Sequence, residues 1–127
     1  MAMIAIIDDD AFVREALDDL ITSVGHQVRT YESAARFLES DEVADTAFLI
    51  TDLQMPGMSG LDLQQHLLAH GRCTPVIFLT AFPEERAKAL ALNRGAVAFL
   101  SKPLEEAKLL RSMAAALEIA RHNAARA

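Results

Sequence analysis

Three acids, a hydroxyl and a lysine stand where the apolar runs of this sequence give out. Asp8 and Asp9 follow Met3–Ile7, Asp52 follows residues 47–51, Thr80 follows residues 75–79, and Ser101 and Lys102 follow residues 97–100. If those runs are parallel strands of one sheet, their C-terminal ends share an edge and the polar residues share a pocket. Three carboxylates that close repel one another, so one must be protonated or a cation must be present. A few hard oxygen ligands with room for water suit Mg²⁺ (or Mn²⁺). The backbone carbonyl of Gln54, two residues past Asp52, could add a ligand. Phosphoryl transfer needs chiefly positioning and charge neutralisation. In such a pocket Asp52 attacks in line, Asp8 and Asp9 hold the metal, Lys102 balances an oxygen and Thr80 donates to another. The product is an aspartyl phosphate.

The elements that must position these residues can be read in order. Ala47-Phe48-Leu49-Ile50 ends at a turn and reads as a short buried strand. Pro56, Gly57 and Gly60 make an irregular loop after it. Asp52 therefore sits at a strand end, the place where open parallel sheets bind ligands. Met3–Ile7 is the first strand. Asp10 caps a helix with Val13, Leu17, Leu20 and Val24 at steps of three or four, ended by Gly25. Gln27–Tyr31 reads as an edge strand, and Ser33 caps a short helix carrying Phe37 and Leu38. A polar loop spans residues 41–46, and the third strand spans residues 47–51. The third helix follows Gly60, with Ser59 and Asp62 as a capping pair and Leu61, Leu67 and Leu68 facing inward. Residues 75–79 form the fourth strand, and Pro83 opens the fourth helix beside Glu84 and Glu85. Gly95 closes that helix, residues 97–100 form the fifth strand, and the fifth helix carries Leu109, Leu110, Met113 and Leu117. Five alternations of strand and helix predict an α/β fold: a doubly wound, five-stranded parallel sheet in the flavodoxin-like order 2-1-3-4-5, with helices on both faces. One domain is expected over residues 1–121, with residues 122–127 a fraying helix end or the start of a linker.

Four segments together resemble a response-regulator receiver domain of two-component signalling over essentially the whole chain. They are Ile6-Ile7-Asp8-Asp9-Asp10, Asp52-Leu53-Gln54-Met55-Pro56-Gly57-Met58-Ser59-Gly60, Leu79-Thr80-Ala81 and Phe99-Leu100-Ser101-Lys102-Pro103. Tyr31-Glu32-Ser33-Ala34 and Gly95-Ala96-Val97 resemble the FixJ-type branch. The resemblance implies Asp8 and Asp9 as metal-binding acids, Asp52 as the phosphorylated residue and Lys102 as the invariant lysine. It implies Thr80 and Phe99 as the switch pair, with Gln54 and Phe82 flanking the path of the hydrolytic water. It also implies a sensor histidine kinase as phosphoryl donor, a cis Lys102-Pro103 bond, and a changed surface of helix four, strand five and helix five that forms a homodimer or touches an output domain. A transcriptional output domain is expected by analogy with that branch; a stand-alone receiver acting through protein contacts is the alternative.

The remaining features set limits. A net charge of −6 argues against an electrostatic nucleic-acid binder. The apolar start lacks a basic flank and runs into Asp8-Asp9-Asp10, unlike a signal peptide or membrane span. Cys73 is the single cysteine, which fits a reducing, cytoplasmic setting. His66 and His70 have zinc-compatible spacing without a third ligand, so a solvated helix face is expected. A magnesium-dependent phosphohydrolase also places an aspartyl nucleophile at a strand end. That class usually has a second acid two residues on, where this chain has Gln54.

Overall fold

The computed structural model describes residues 2–126, with side chains through residue 124. In chain order the elements are β1 (Met3–Ile7), α1 (Ala11–Ser23), β2 (Gln27–Tyr31), α2 (Ala34–Glu39), β3 (Thr46–Thr51), α3 (Gly60–Ala69), β4 (Val76–Thr80), α4 (Glu85–Asn93), β5 (Ala98–Ser101) and α5 (Glu106–Arg126). The strands form one sheet in the order β2-β1-β3-β4-β5, and every neighbouring pair is parallel.

Strand side chains alternate between the two faces, and here both faces are apolar. Ala5, Ile7, Leu49, Val76 and Phe78 pack under α2, α3 and α4 through Phe37, Leu63, Leu67, Ala87 and Ala91. Ile4, Ile6, Phe48, Ile50, Ile77 and Leu79 pack under α1 and α5 through Leu17, Ile21, Leu109, Met113 and Ala116. A sheet covered twice needs near-continuous apolar strands, which is why β1, β3 and β4 read as unbroken runs. Burying each large side chain contributes about 1.5–3 kcal/mol, so the central strands carry most of the buried core.

The helix caps follow from sequence. Asp10 accepts from the Phe12 N–H at the start of α1, and Ser33 from the Arg36 N–H at the start of α2. Ser59 and Asp62 form a reciprocal capping box on α3.

Several boundaries and one helix face differ from the sequence expectation. β3 begins one residue early, at Thr46, while β4 and β5 are shifted one residue toward the C-terminus. Pro75 has no N–H to give the ladder and contributes only its carbonyl, to the Leu49 N–H. Thr80 and Ser101 are therefore paired strand residues, opposite each other in register. Pro83 lies before the extended N-cap Glu84 and not in the first turn of α4. On α3 the buried stripe is Gly60, Leu63, Gln64 and Leu67. Leu68 is exposed, because it stands about 100° around the helix from Leu67. Residues 122–126 continue α5, the helix end being one of the two readings of that segment, and the Asn123 amide donates to the Cys73 carbonyl at 3.0 Å. The last residue of the expected tail, 127, lies outside the described residues.

Candidate functional site

The sheet order itself delivers the acids. β1 and β3 are neighbours, and their ladder ends with Ile7 opposite Thr51. The next residue on each strand is an aspartate, so Asp8 and Asp52 leave the sheet side by side. The Asp52 N–H still donates to the Ile7 carbonyl at 3.0 Å, and the Asp8 N–H to the Tyr31 carbonyl at 3.1 Å. Both side chains thus spring from backbone the sheet holds. Lys102 leaves β5, its N–H bonded to the Thr80 carbonyl at 2.7 Å. Its Nζ reaches back to Asp8 Oδ2 at 3.0 Å and to Asp52 Oδ2 at 3.5 Å. The Lys102-Pro103 bond after it is cis.

Asp8, Asp9 and Asp52 each offer a carboxylate oxygen, and these oxygens lie within 4.8 Å of one another. Ligands around a small hard cation with bonds of about 2.0–2.1 Å stand roughly 3–4 Å apart, so slight rotations would close the set on Mg²⁺ or Mn²⁺. Asp8 and Asp52 are buried and Asp9 is exposed, which leaves one side open to water. The donor set, oxygens alone, fits such an ion.

The electrostatics record the crowding. Burial pushes the Asp8 carboxyl above its ordinary value, and the Asp52 charge adds to this; the Asp10 N–H and Lys102 only partly offset it. Burial also works against the charge on Lys102, but its hydrogen bond and attraction to Asp8, with the Asp52 charge behind, hold it above the usual lysine value. The ion pair thus favours a charged lysine without fully compensating the buried acid.

Thr80 is buried, and its Oγ1 accepts from the Phe82 N–H at 3.1 Å. The Phe82 ring is 70% exposed. Gln54 is exposed, and its N–H points to Asp52 Oδ1 at 3.4 Å. Phe99 is half-buried, its ring 5.9 Å from that of Phe78. Asp10 caps α1 and also donates its N–H to Asp8 Oδ1 at 2.9 Å. His66 and His70 stack at 4.2 Å, and among the described residues no third ligating group joins them. A cleft of about 690 Å³ lies at the opposite edge of the sheet, lined by Met3, Asp45, Cys73, Pro75 and Asn123 among others. The acid cluster therefore lies outside that cleft, with Asp9 its exposed member.

Two contributors carry no signal in the sequence pattern. Gly60, read as loop punctuation, is where α3 crosses the site: a Cβ there would stand 2.3 Å from the Asp52 carbonyl oxygen and 3.0 Å from the Phe78 ring. Its N–H also donates to the Leu53 carbonyl at 2.9 Å. Gly60→Ala is expected to cost about 1–3 kcal/mol, the usual range for overpacking, and to shift the main chain that carries Asp52. Urea unfolding checks it; an unchanged midpoint would refute the contact. The second is Arg14, whose Nη1 donates to the Asp8 carbonyl at 2.7 Å. Nothing in the spacing pointed to it, since an arginine on a helix ordinarily reads as solvated.

Comparison with known proteins agrees with this architecture. Residues 4–114 match the family model described as the response regulator receiver domain. The transcriptional regulatory protein TdiR of Thauera aromatica is 40% identical over 119 residues, covering 94% of this chain and 52% of that protein. The response regulator protein TodT of Pseudomonas putida matches to the same extent, 40% over 119 residues with 94% and 52% covered. The crystal structure of FixJ-N superposes with a TM-score of 0.82 at 32% identity, covering 93% of this chain and 94% of that one. The chain spans about half the length of the curated relatives it matches. With the family model spanning most of its length and the doubly wound sheet in the expected order, the chain belongs to the response regulator receiver domains of two-component signalling, with relatives in the FixJ-type branch.

Proposed function

We propose that this chain is a cytoplasmic phosphoacceptor whose nucleophile is Asp52. The donor is a phosphohistidine on a sensor histidine kinase. The P–N bond breaks, an Asp52 carboxylate oxygen forms the new P–O bond, and the imidazole leaves with the electron pair. Mg²⁺ or Mn²⁺, held by Asp8, Asp9, Asp52 and the Gln54 carbonyl, would supply charge neutralisation for the phosphoryl oxygens. Lys102 would swing part of its charge from Asp52 to the incoming group while keeping Asp8. The observation that carries this reading is the Lys102 ammonium between Asp8 and Asp52 on an open rim.

The Thr80 hydroxyl, whose oxygen accepts from the Phe82 N–H, would then donate its proton to a phosphoryl oxygen. Phe99, packed on Phe78, is the ring placed to follow, altering the surface of α4, β5 and α5. That surface would form a homodimer or bear on an output domain. Relatives about twice as long, one named as a transcriptional regulatory protein, support transcriptional control through a further domain.

The test is incubation with acetyl phosphate and Mg²⁺, followed by intact mass. One phosphoryl group per chain, blocked by a chelator, is the expected result. No incorporation would overturn the reading, and repeated turnover of a small phosphate ester would favour a phosphohydrolase. A second expectation concerns lifetime. An apolar ring at Phe82 cannot orient an attacking water, so Phe82→Glu or Phe82→Lys should shorten the phosphoryl half-life several-fold. Phe82 is 70% exposed, so its replacement leaves the core packing intact. A half-life that does not shorten would remove Phe82 from that role.

A further inference from the structure

We infer that Arg14 is a positioning residue for the divalent-cation site, acting through the peptide that joins two of its acids. The inference rests on the phosphoacceptor reading and extends it to a side chain outside the acid cluster.

Asp8 is tied at four atoms. Its N–H donates to Tyr31, its Oδ1 accepts from the Asp10 N–H, its Oδ2 accepts from Lys102, and its carbonyl accepts from Arg14 Nη1 at 2.7 Å. The carbonyl contact differs in kind from the rest. The β1 ladder stops at Ile7 on both sides, so the Asp8 carbonyl lies beyond the reach of the sheet. It belongs to the peptide plane linking Asp8 to Asp9. If that plane turns, the Asp9 Cα and carboxylate move with it, and the Asp8 side chain loses its aim. Arg14 is a firm anchor for the plane. It sits one turn into α1, its N–H bonded to the Asp10 carbonyl at 3.1 Å, on a helix seated in the core by Leu17 and Ile21.

Charge and position predict opposite outcomes, which makes the inference decidable. A guanidinium bonded to the Asp8 carbonyl repels a divalent cation held by the same residue, so if its charge were all that mattered, removing it would tighten binding. If it holds the Asp8-Asp9 peptide, removing it loosens the ligands and weakens binding. Partners of metal ligands typically change affinity by about 10–100-fold when removed.

The experiment is calorimetric titration of Mn²⁺ into the wild-type chain, Arg14→Met and Arg14→Lys, well below their melting temperatures. Arg14→Met should raise the Kd about tenfold or more, and Arg14→Lys, which keeps one donor on a long stem, should restore most of the affinity. An unchanged or lower Kd in Arg14→Met overturns the inference while leaving the phosphoacceptor reading intact. Absence of Mn²⁺ binding by the wild type overturns that reading, and the inference with it. If Arg14→Met does not melt cooperatively, Arg14→Gln takes its place: a Kd above that of Arg14→Lys supports the positioning role, and an equal or lower one overturns it.

Discussion

Asp52→Asn is expected to abolish phosphoryl incorporation from acetyl phosphate while leaving the fold intact. Asparagine keeps the shape of the side chain and removes the nucleophilic oxygen. The Asp52 N–H to Ile7 bond is main chain and survives, and Lys102 keeps its shorter contact, 3.0 Å to Asp8. The other two acids are poor substitutes. Asp8 has both oxygens engaged, by the Asp10 N–H and by Lys102, and burial disfavours its charged form. Asp9 is exposed and has no lysine beside it among the described ion pairs. Asp52 combines a main chain fixed by the sheet with a lysine at 3.5 Å and only one long amide contact, 3.4 Å from Gln54. Intact mass after labelling is the readout, with circular dichroism and a melt to establish folding. Labelling equal to wild type would take the nucleophile's role from Asp52, and labelling of a folded variant at Asp9 would reassign it.

Much of this arrangement could be read from the chain because the sheet is buried on both faces. Unbroken apolar runs at β1, β3 and β4 are costly anywhere but between two layers of helices, and their alternation with capped helices leaves few topologies. Once the order is 2-1-3-4-5, the residues after β1 and β3 must be neighbours. That is why Asp8 and Asp52 could be paired across 44 positions of sequence by topology alone. What was not legible depends on detail that pattern does not encode. Pro75 and Val97 are apolar and β-compatible, so each reads as strand, yet the ladders start one residue later. On α3 the pattern points Leu61, Leu67 and Leu68 inward; Leu67 is buried and Leu61 packs partly buried on the core, but helix phase exposes Leu68 and buries Leu63 and Gln64. Gly60 showed its constraint only when the crossing of α3 over the Asp52 carbonyl could be measured. Arg14 needed the same: a hydrogen bond to a main-chain carbonyl six residues back leaves no trace in composition or periodicity.

Asp8→Asn is expected to raise metal-free stability at neutral pH and, in the same protein, to remove the stabilisation that Mg²⁺ gives the wild type. The sign follows from the direction of the shift. Burial raises the folded-state pKa of Asp8 above its unfolded value. A raised acid contributes its stability in full below the unfolded pKa of about 3.8 and loses it as pH climbs through the higher folded value. Above the unfolded value Asp8 therefore weakens the metal-free fold increasingly as pH rises, and a neutral isostere relieves it. Lys102 acts the other way. Its raised pKa contributes stability at all pH values below about 10.5, lost only as pH rises through the folded value. In Asp8→Asn that contribution shrinks to what Asp52 alone supports, but the lost ion pair is the one already netted in the upward shift of Asp8, so the gain keeps its sign. With a divalent cation the order inverts. Only the ionised form offers the metal a full negative charge, shared between two oxygens, and a ligand at 100 times its Kd adds about 2.7 kcal/mol to the folded state. The wild type should gain on that scale while Asp8→Asn gains little. Thermal melts at neutral pH, in chelator and in excess Mg²⁺, give all four values. Equal Mg²⁺-induced rises in the two proteins would exclude Asp8 from the cation site, and a metal-free Asp8→Asn less stable than wild type would mean that the ion pair outweighs the burial of the acid.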